Sequence, residues 1–317
     1  MDKHARIYVA GHRGMVGSAL VRELDAHGYR NLVMRTHDEL DLTDQHAVNG
    51  FFDNERIDVV LLAAARVGGI LANASQPARF IYENLAIETN VIHAAYRAHA
   101  ERLIFFGSSC IYPKLCPQPI REEYLLSSEL EPTNDAYAIA KIAGLKMCGA
   151  YNRQYGTHYV SLMPTNLYGP HDNYDPQSSH VLPALIRKAH EAKVAHAPTL
   201  TVWGTGSPRR EFLHVDDLAE ATRFLLERDV SEGIYNVGVG ADLSIRELAE
   251  TVTRIVGYEG KLVFDSSKPD GTPQKLLDVS RLAQIGWRAR IGLEEGIART
   301  YEDFVSRYCM LEAASNG

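Results

Sequence analysis

The chain has 317 residues, 45% hydrophobic and 23% charged, with a formal net charge of −7. That acidic balance excludes a surface built for nucleic acid or anionic membrane, and no apolar run reaches the roughly 18 residues of a membrane span. The length suits one large domain or two intimate ones, and Cys110, Cys116, Cys148 and Cys309 show no framework or CxxC spacing. They read as free thiols of a reducing compartment. With no apolar leader before the first strand, a cytoplasmic location is expected.

Residues 5–10 (ARIYVA) form a short apolar run and read as a buried strand. Gly11-His12-Arg13-Gly14-Met15-Val16-Gly17 follows directly, and a helical pattern runs over 16–27. Strand, glycine turn and helix is the context of a dinucleotide fingerprint, with the pyrophosphate on the helix N-terminus. The spacing is GxxGxxG, and a plain strand-to-helix turn is the alternative. A second strand is expected over 31–35. NAD enzymes usually carry an acid at its end for the ribose hydroxyls. Here that end holds Arg35, with Arg13 in the glycine loop, so two guanidiniums suit a 2′-phosphate and hence NADP(H). Asp38 and Glu39 follow closely. Asp41-Leu42 reads as the end of a third short strand beside the adenine.

Residues 58–64 (DVVLLAA) and 103–109 (LIFFGSS) are continuous apolar runs of the kind a two-sided parallel strand needs, and 77–100 between them is helical. The alternation predicts an α/β fold: a doubly wound, Rossmann-type parallel sheet with its ligand at the carboxyl ends of the strands. Ser108 and Cys110 fall at one such end and, by strand alternation, share a face. Taken alone, the pair would be explained equally well as a turn serine and a small buried cysteine. In Tyr137-Ala-Ile-Ala-Lys141, Tyr and Lys stand four apart on one helix face. A cation there is expected to lower the phenol's pKa and make it a proton donor or acceptor near neutrality.

Gly11-x-x-Gly14-x-x-Gly17, Ser108 and Tyr137-x-x-x-Lys141, in this order, resemble the extended short-chain dehydrogenase/reductase superfamily. GHRGMVGSA (11–19), AARVGGI (64–70), GSSCIYPK (107–114), EPTNDAYAIAKIAG (131–144), MPTNLYGPHDN (163–173) and REFLHVDD (210–217) are similar to its branch of GDP-sugar 3,5-epimerase/4-reductases. The likeness runs from residue 6 past KPDGTPQKLLD (268–278). His37 and Arg66 depart from the arginine and lysine usual in that branch.

The resemblance implies an NADP-binding lobe of residues 1–171 and 214–239, and a smaller α/β substrate lobe of residues 172–213 and 240–317. It implies catalytic roles for Ser108, Tyr137 and Lys141, with Cys110 as base and His180 as acid of the epimerisation. NADP(H) would contact the glycine loop from Gly11 to Gly17, Arg35, His37, Asp41, Leu42, Ala64, Lys141, Pro164, Asn166, Leu167 and His180. A GDP-sugar would contact Lys188, Trp203, Arg210, Asp270 and Lys275. No metal is implied, and helices 77–100 and 135–155 would pair in a homodimer.

The residues themselves leave alternatives. A helix is expected over 181–192, capped by a serine of Ser178-Ser179, and a lone His180 there is an ordinary capping or surface residue. Trp203 would serve equally as a core tryptophan, and Asp270 as the turn former of KPDG. Arg187 and Arg209 suit a solvated face. Short strands are expected over 200–204 and 211–215, a helix over 216–228, a returning main-sheet strand over 234–237, and helices over 244–256 and 293–308. Among other activities, nucleotide-sugar 4,6-dehydratases place an Asp-Glu pair after the serine strand, where this chain has Ser109-Cys110-Ile111. A non-catalytic dinucleotide sensor on the same fold would commonly lack the Tyr–Lys pair.

Overall fold

The computed structural model describes residues 1–176, 178–268 and 270–315. Five parallel strands, β1 (Ile7–Ala10), β2 (Leu32–Val33), β3 (Val59–Leu62), β4 (Arg102–Phe106) and β5 (His158–Pro164), form the main sheet with the returning strand Gly233–Val237. Their spatial order is 233–237, β5, β4, β3, β1, β2. The chain leaves β1 first toward β2, then returns to build β3 on the other side of β1. The carboxyl ends of β1 and β3 therefore flank a switch point, where this topology opens its ligand crevice.

Buried strands need both faces covered, and the core divides accordingly. On one face, α2 (Gln45–Asn54), α4 (Pro77–Arg97) and α5 (Asp135–Tyr155) pack Val48, Phe52, Val91, Ile92, Leu145 and Cys148 against Tyr8, Val60 and Phe105. On the other, α1 (Met15–Ala26) and the helix Val215–Glu227 pack Leu20, Leu24, Leu218 and Leu225 against Ile7, Leu61 and Leu162. A third cluster lies under the smaller sheets, between the helices Val181–Val194, Ile245–Val256 and Leu293–Ser315. Leu277 and Leu282, in the segment expected to belong to the smaller lobe, pack instead in the cores beside the main sheet.

Several local expectations are corrected. The second strand is two residues long, and Asp41 ends no strand: its Oδ1 accepts from Thr43 N (2.9 Å) and Thr43 Oγ1 (2.7 Å), an Asx turn that satisfies the backbone locally. Beyond β5, Asn166–Tyr168 pairs in parallel with Phe212–His214. The helix Val181–Val194 is capped by His180 rather than by a serine. The turn 268–271 includes Pro269, outside the described residues, as does the side chain of Cys309. Cys110, Cys116 and Cys148 are free thiols.

Glu211 joins the two parts. Its fully buried carboxylate accepts from Val239 N (2.6 Å), Gly240 N (2.7 Å) and Leu277 N (2.9 Å). Glu211→Ala strands one buried and two part-buried donors, so we expect a loss of about 2 kcal/mol or more. It should appear as a lower urea midpoint at unchanged slope. An unaltered midpoint would show that water replaces the carboxylate at no cost.

Candidate active site

A cleft of about 940 Å³ opens over the carboxyl ends of β1, β3, β4 and β5. Gly11 leaves β1 with φ +83°, a conformation that favours glycine, and a Cβ there would lie 2.8 Å from the backbone of Ala64. A Cβ on Gly17 would lie 2.1 Å from Gly11 O, so glycine is needed for the turn to fold back on helix α1. That helix begins after Gly14 with no side-chain cap and no acidic residue in its first turn, leaving its N–H groups open to an anion. His12 Nδ1 is buried without a partner beside it. Backbone cradle, uncapped helix and unpartnered imidazole together fit a dinucleotide pyrophosphate.

Gly11, Gly14, Met15, Val16, Gly17, Arg35, His37, Asp41, Leu42, Ala64, Pro164, Asn166 and Leu167 line this cleft. Arg13 is exposed at its rim. Arg35 is held by Glu55 at 2.6 Å, and its guanidinium lies 5.3 Å from the centre of the Phe51 ring. Of the two nearby acids, Glu39 is tied down: its Oε2 accepts from Thr36 N at 2.7 Å. Glu39 keeps its charge but is bonded to its own turn, so Arg13 and Arg35 are the donors left for a 2′-phosphate. We expect kcat/KM for NADPH to exceed that for NADH by about tenfold or more, as two guanidiniums on a phosphate imply. A ratio near one would show that Asp38 governs the pocket.

Ser108, Cys110, Tyr137, Lys141 and His180 all line the same cleft. The strand argument for Ser108 and Cys110 does not hold, because residues Ser109–Ile111 form a 3-10 turn capped by Ser108, whose Oγ accepts from Cys110 N at 3.2 Å. The tight turn brings Ser109 to the cleft wall as well. Tyr137 rises from the first turn of α5, and its ring meets Phe80 edge-on at 6.4 Å. Its phenol is also not the acidified group expected. Burial pushes its pKa well up, the nearby Cys110 and Glu88 push the same way, and the Ser108 hydroxyl opposes them. Lys141 gives it little help because its ammonium lies 3.0 Å from the buried Glu88 carboxylate. The phenol therefore stays protonated at neutral pH, the state of a proton donor.

Lys275 Nζ lies 3.7 Å from Cys110 Sγ. The same ammonium acts against His180. Desolvation in the cleft lowers the imidazole's pKa and Lys275 lowers it further, although the residue as a whole stays exposed.

The other residues expected to hold substrate lie away from the cleft lining. Arg210 is half-buried near Cys110 and Asp270, and partial desolvation lowers its pKa. Asp270 accepts from Thr205 N (2.7 Å) and Thr205 Oγ1 (2.8 Å), so its carboxylate ties two turns together. Trp203 is 50% exposed and no core residue; Lys188 Nζ lies 5.1 Å from its ring centre. Arg209 pairs with Asp242, and Arg187 with Glu191.

Sequence reasoning missed Asn84 and Glu88. Asn84, fully buried, accepts from Arg66 N (2.9 Å) and donates to Arg66 O (3.0 Å), which pins loop 64–70 over the cleft. The signal was there: Asn84 and Glu88 interrupt the otherwise apolar stripe Phe80, Val91, Ala95 of α4 at helical spacing.

Fold and cleft define a dinucleotide-dependent epimerase or reductase, and the chain belongs to the NAD dependent epimerase/dehydratase family, whose model matches residues 7–238. It is 57% identical over 311 residues to GDP-L-fucose synthase of Escherichia coli (strain K12), covering 95% of this chain and 96% of that protein. A GDP-6-OMe-4-keto-L-xylo-heptose reductase from C. jejuni superposes with a TM-score of 0.91 at 39% identity, over 97% of this chain and 99% of that one. A GDP-L-fucose synthetase from Naegleria fowleri bound to NADP superposes at 0.89 with 28% identity, over 97% and 95%.

Proposed function

We propose that the chain epimerises GDP-4-dehydro-6-deoxy-D-mannose at C3 and C5 and then reduces its C4 ketone with NADPH, giving GDP-L-fucose. The observation that carries this reading is the convergence of Ser108, Cys110, Tyr137, Lys141 and His180 on one cleft continuous with the glycine cradle. The likeness to the E. coli enzyme along nearly the whole chain selects the substrate.

The ketone makes the hydrogens on both neighbouring carbons acidic. Ser108 and Tyr137 hold the C4 oxygen and stabilise the charge it gains as a proton leaves. Cys110, with Lys275 beside it, takes the proton from one face and His180 returns one to the other; Cys110 then releases its proton to solvent and His180 takes one up, so the two centres invert in turn. NADPH, held by the Gly11–Gly17 cradle, Arg13, Arg35 and Lys141, supplies hydride to C4. Tyr137 then gives its proton to the C4 oxygen. Lys188, Trp203, Arg210 and Lys275 surround the GDP moiety and the sugar.

We assign residues 1–171 and 214–239 to cofactor binding, and 172–213 and 240–317 to substrate. The working unit is taken to be a cytoplasmic homodimer. Three free thiols suit a reducing compartment, and α5 leaves Ile139 and Tyr155 exposed. No helix among the described residues is long and apolar enough to cross a membrane. Sedimentation at micromolar protein should give twice the 35.2 kDa chain mass; a species of that mass alone would remove the dimer. The activity itself is tested by incubating the protein with NADPH and GDP-4-dehydro-6-deoxy-D-mannose and identifying the product. GDP-L-fucose supports the proposal. A C4-reduced but unepimerised sugar, or no turnover, overturns it.

A further inference from the structure

One buried charged pair has no part in the chemistry above beyond its lysine. Glu88 on α4 and Lys141 on α5 are 1% and 2% exposed, and Lys141 Nζ lies 3.0 Å from Glu88 Oε1. The carboxylate has a fitted space. A Cβ on Gly144, one turn past Lys141, would lie 2.6 Å from Glu88 Oε2 and 2.6 Å from the Phe105 ring. That ring closes the other side, its centre 4.8 Å from the ammonium. Well-packed apolar residues of similar volume commonly replace a buried ion pair without loss of stability, so fold stability alone does not account for this one.

We propose that Glu88 is a positioning residue for the reduction: it keeps Lys141 as an ammonium at the cleft wall, below Tyr137. This inference rests on the role given above to Lys141. Burial pushes the Glu88 carboxyl up, and the Lys141 ammonium and the Gly144 N–H oppose that shift without cancelling it. The ionisable neighbours of Glu88, besides Lys141, are Tyr137 and Cys148, both on α5 and both held protonated chiefly by burial. The facing side chains of β4 and β5, Phe105 and Ser161, are neutral. Glu88 is thus the counter-ion that the structure supplies to Lys141.

A buried lysine without its counter-ion loses its proton at lower pH. In Glu88→Gln, NADPH-dependent turnover should stay within a few-fold of wild type at about pH 6 and fall early on the alkaline side. The alkaline limb should move down by about one pH unit or more. Glu88→Asp keeps the charge but draws it back, so its limb should move the same way by less. It carries the test should the glutamine variant fail to fold. A purely structural glutamate would scale activity down equally at every pH. An unmoved limb in the folded variants overturns the proposal. Absence of NADPH-dependent turnover in the wild type would instead defeat the functional reading itself.

Discussion

Tyr137→Phe should bind NADPH within a few-fold of wild type and lose reduction by roughly 10²-fold or more, the usual effect of removing a positioned general acid. The substitution isolates the O–H group. The phenylalanine ring can keep the edge-on contact that Tyr137 makes with Phe80, so the start of α5 has no reason to move. What disappears is a proton donor that burial keeps loaded, together with its bond to the Ser108 side chain. Stopped-flow NADPH oxidation alongside NADPH-binding fluorescence separates the two effects. Near-wild-type turnover in a variant that binds NADPH would remove Tyr137 from the chemistry.

Cys110→Ser should abolish epimerisation while leaving a slow reduction of the unepimerised ketone. The sulfur sits on a 3-10 turn, 3.7 Å from Lys275 Nζ. A serine hydroxyl in that place remains protonated near neutrality and is a far weaker base. Ser108, Tyr137 and Lys141 remain in place, so C4 is still served. Deuterium exchange at C3 and C5 in D₂O should slow by roughly 10²-fold or more. Exchange at both carbons at the wild-type rate would mean that another group is the base.

The main sheet was legible because strands covered on both faces must be continuously apolar, as 58–64 and 103–106 are. The glycine loop was legible for a steric reason that the structure makes plain: no side chain fits at Gly17 against Gly11 O. Legibility ended where a short polar segment satisfies its own backbone. Ser108 caps a 3-10 turn and Asp41 closes an Asx turn, and neither choice leaves a periodic trace in the sequence. The electrostatics were hidden for a different reason. Tyr137 and Lys141 share a helix face as the spacing requires, yet the phenol's pKa is raised first by burial, then by Cys110 and by Glu88, the last 53 positions away from Lys141 and brought to it only by the packing of α4 on α5. In the same way Lys275 reaches Cys110 and His180 from a distant strand.

The most direct measurement is the complete wild-type reaction run in D₂O with unlabelled NADPH, with each carbon of the product sugar read by NMR. A single cleft that inverts two centres and reduces a third should give GDP-L-fucose carrying deuterium at C3 and C5 and ordinary hydrogen at C4. Product with hydrogen at C3 or C5, or with deuterium at C4, would contradict it.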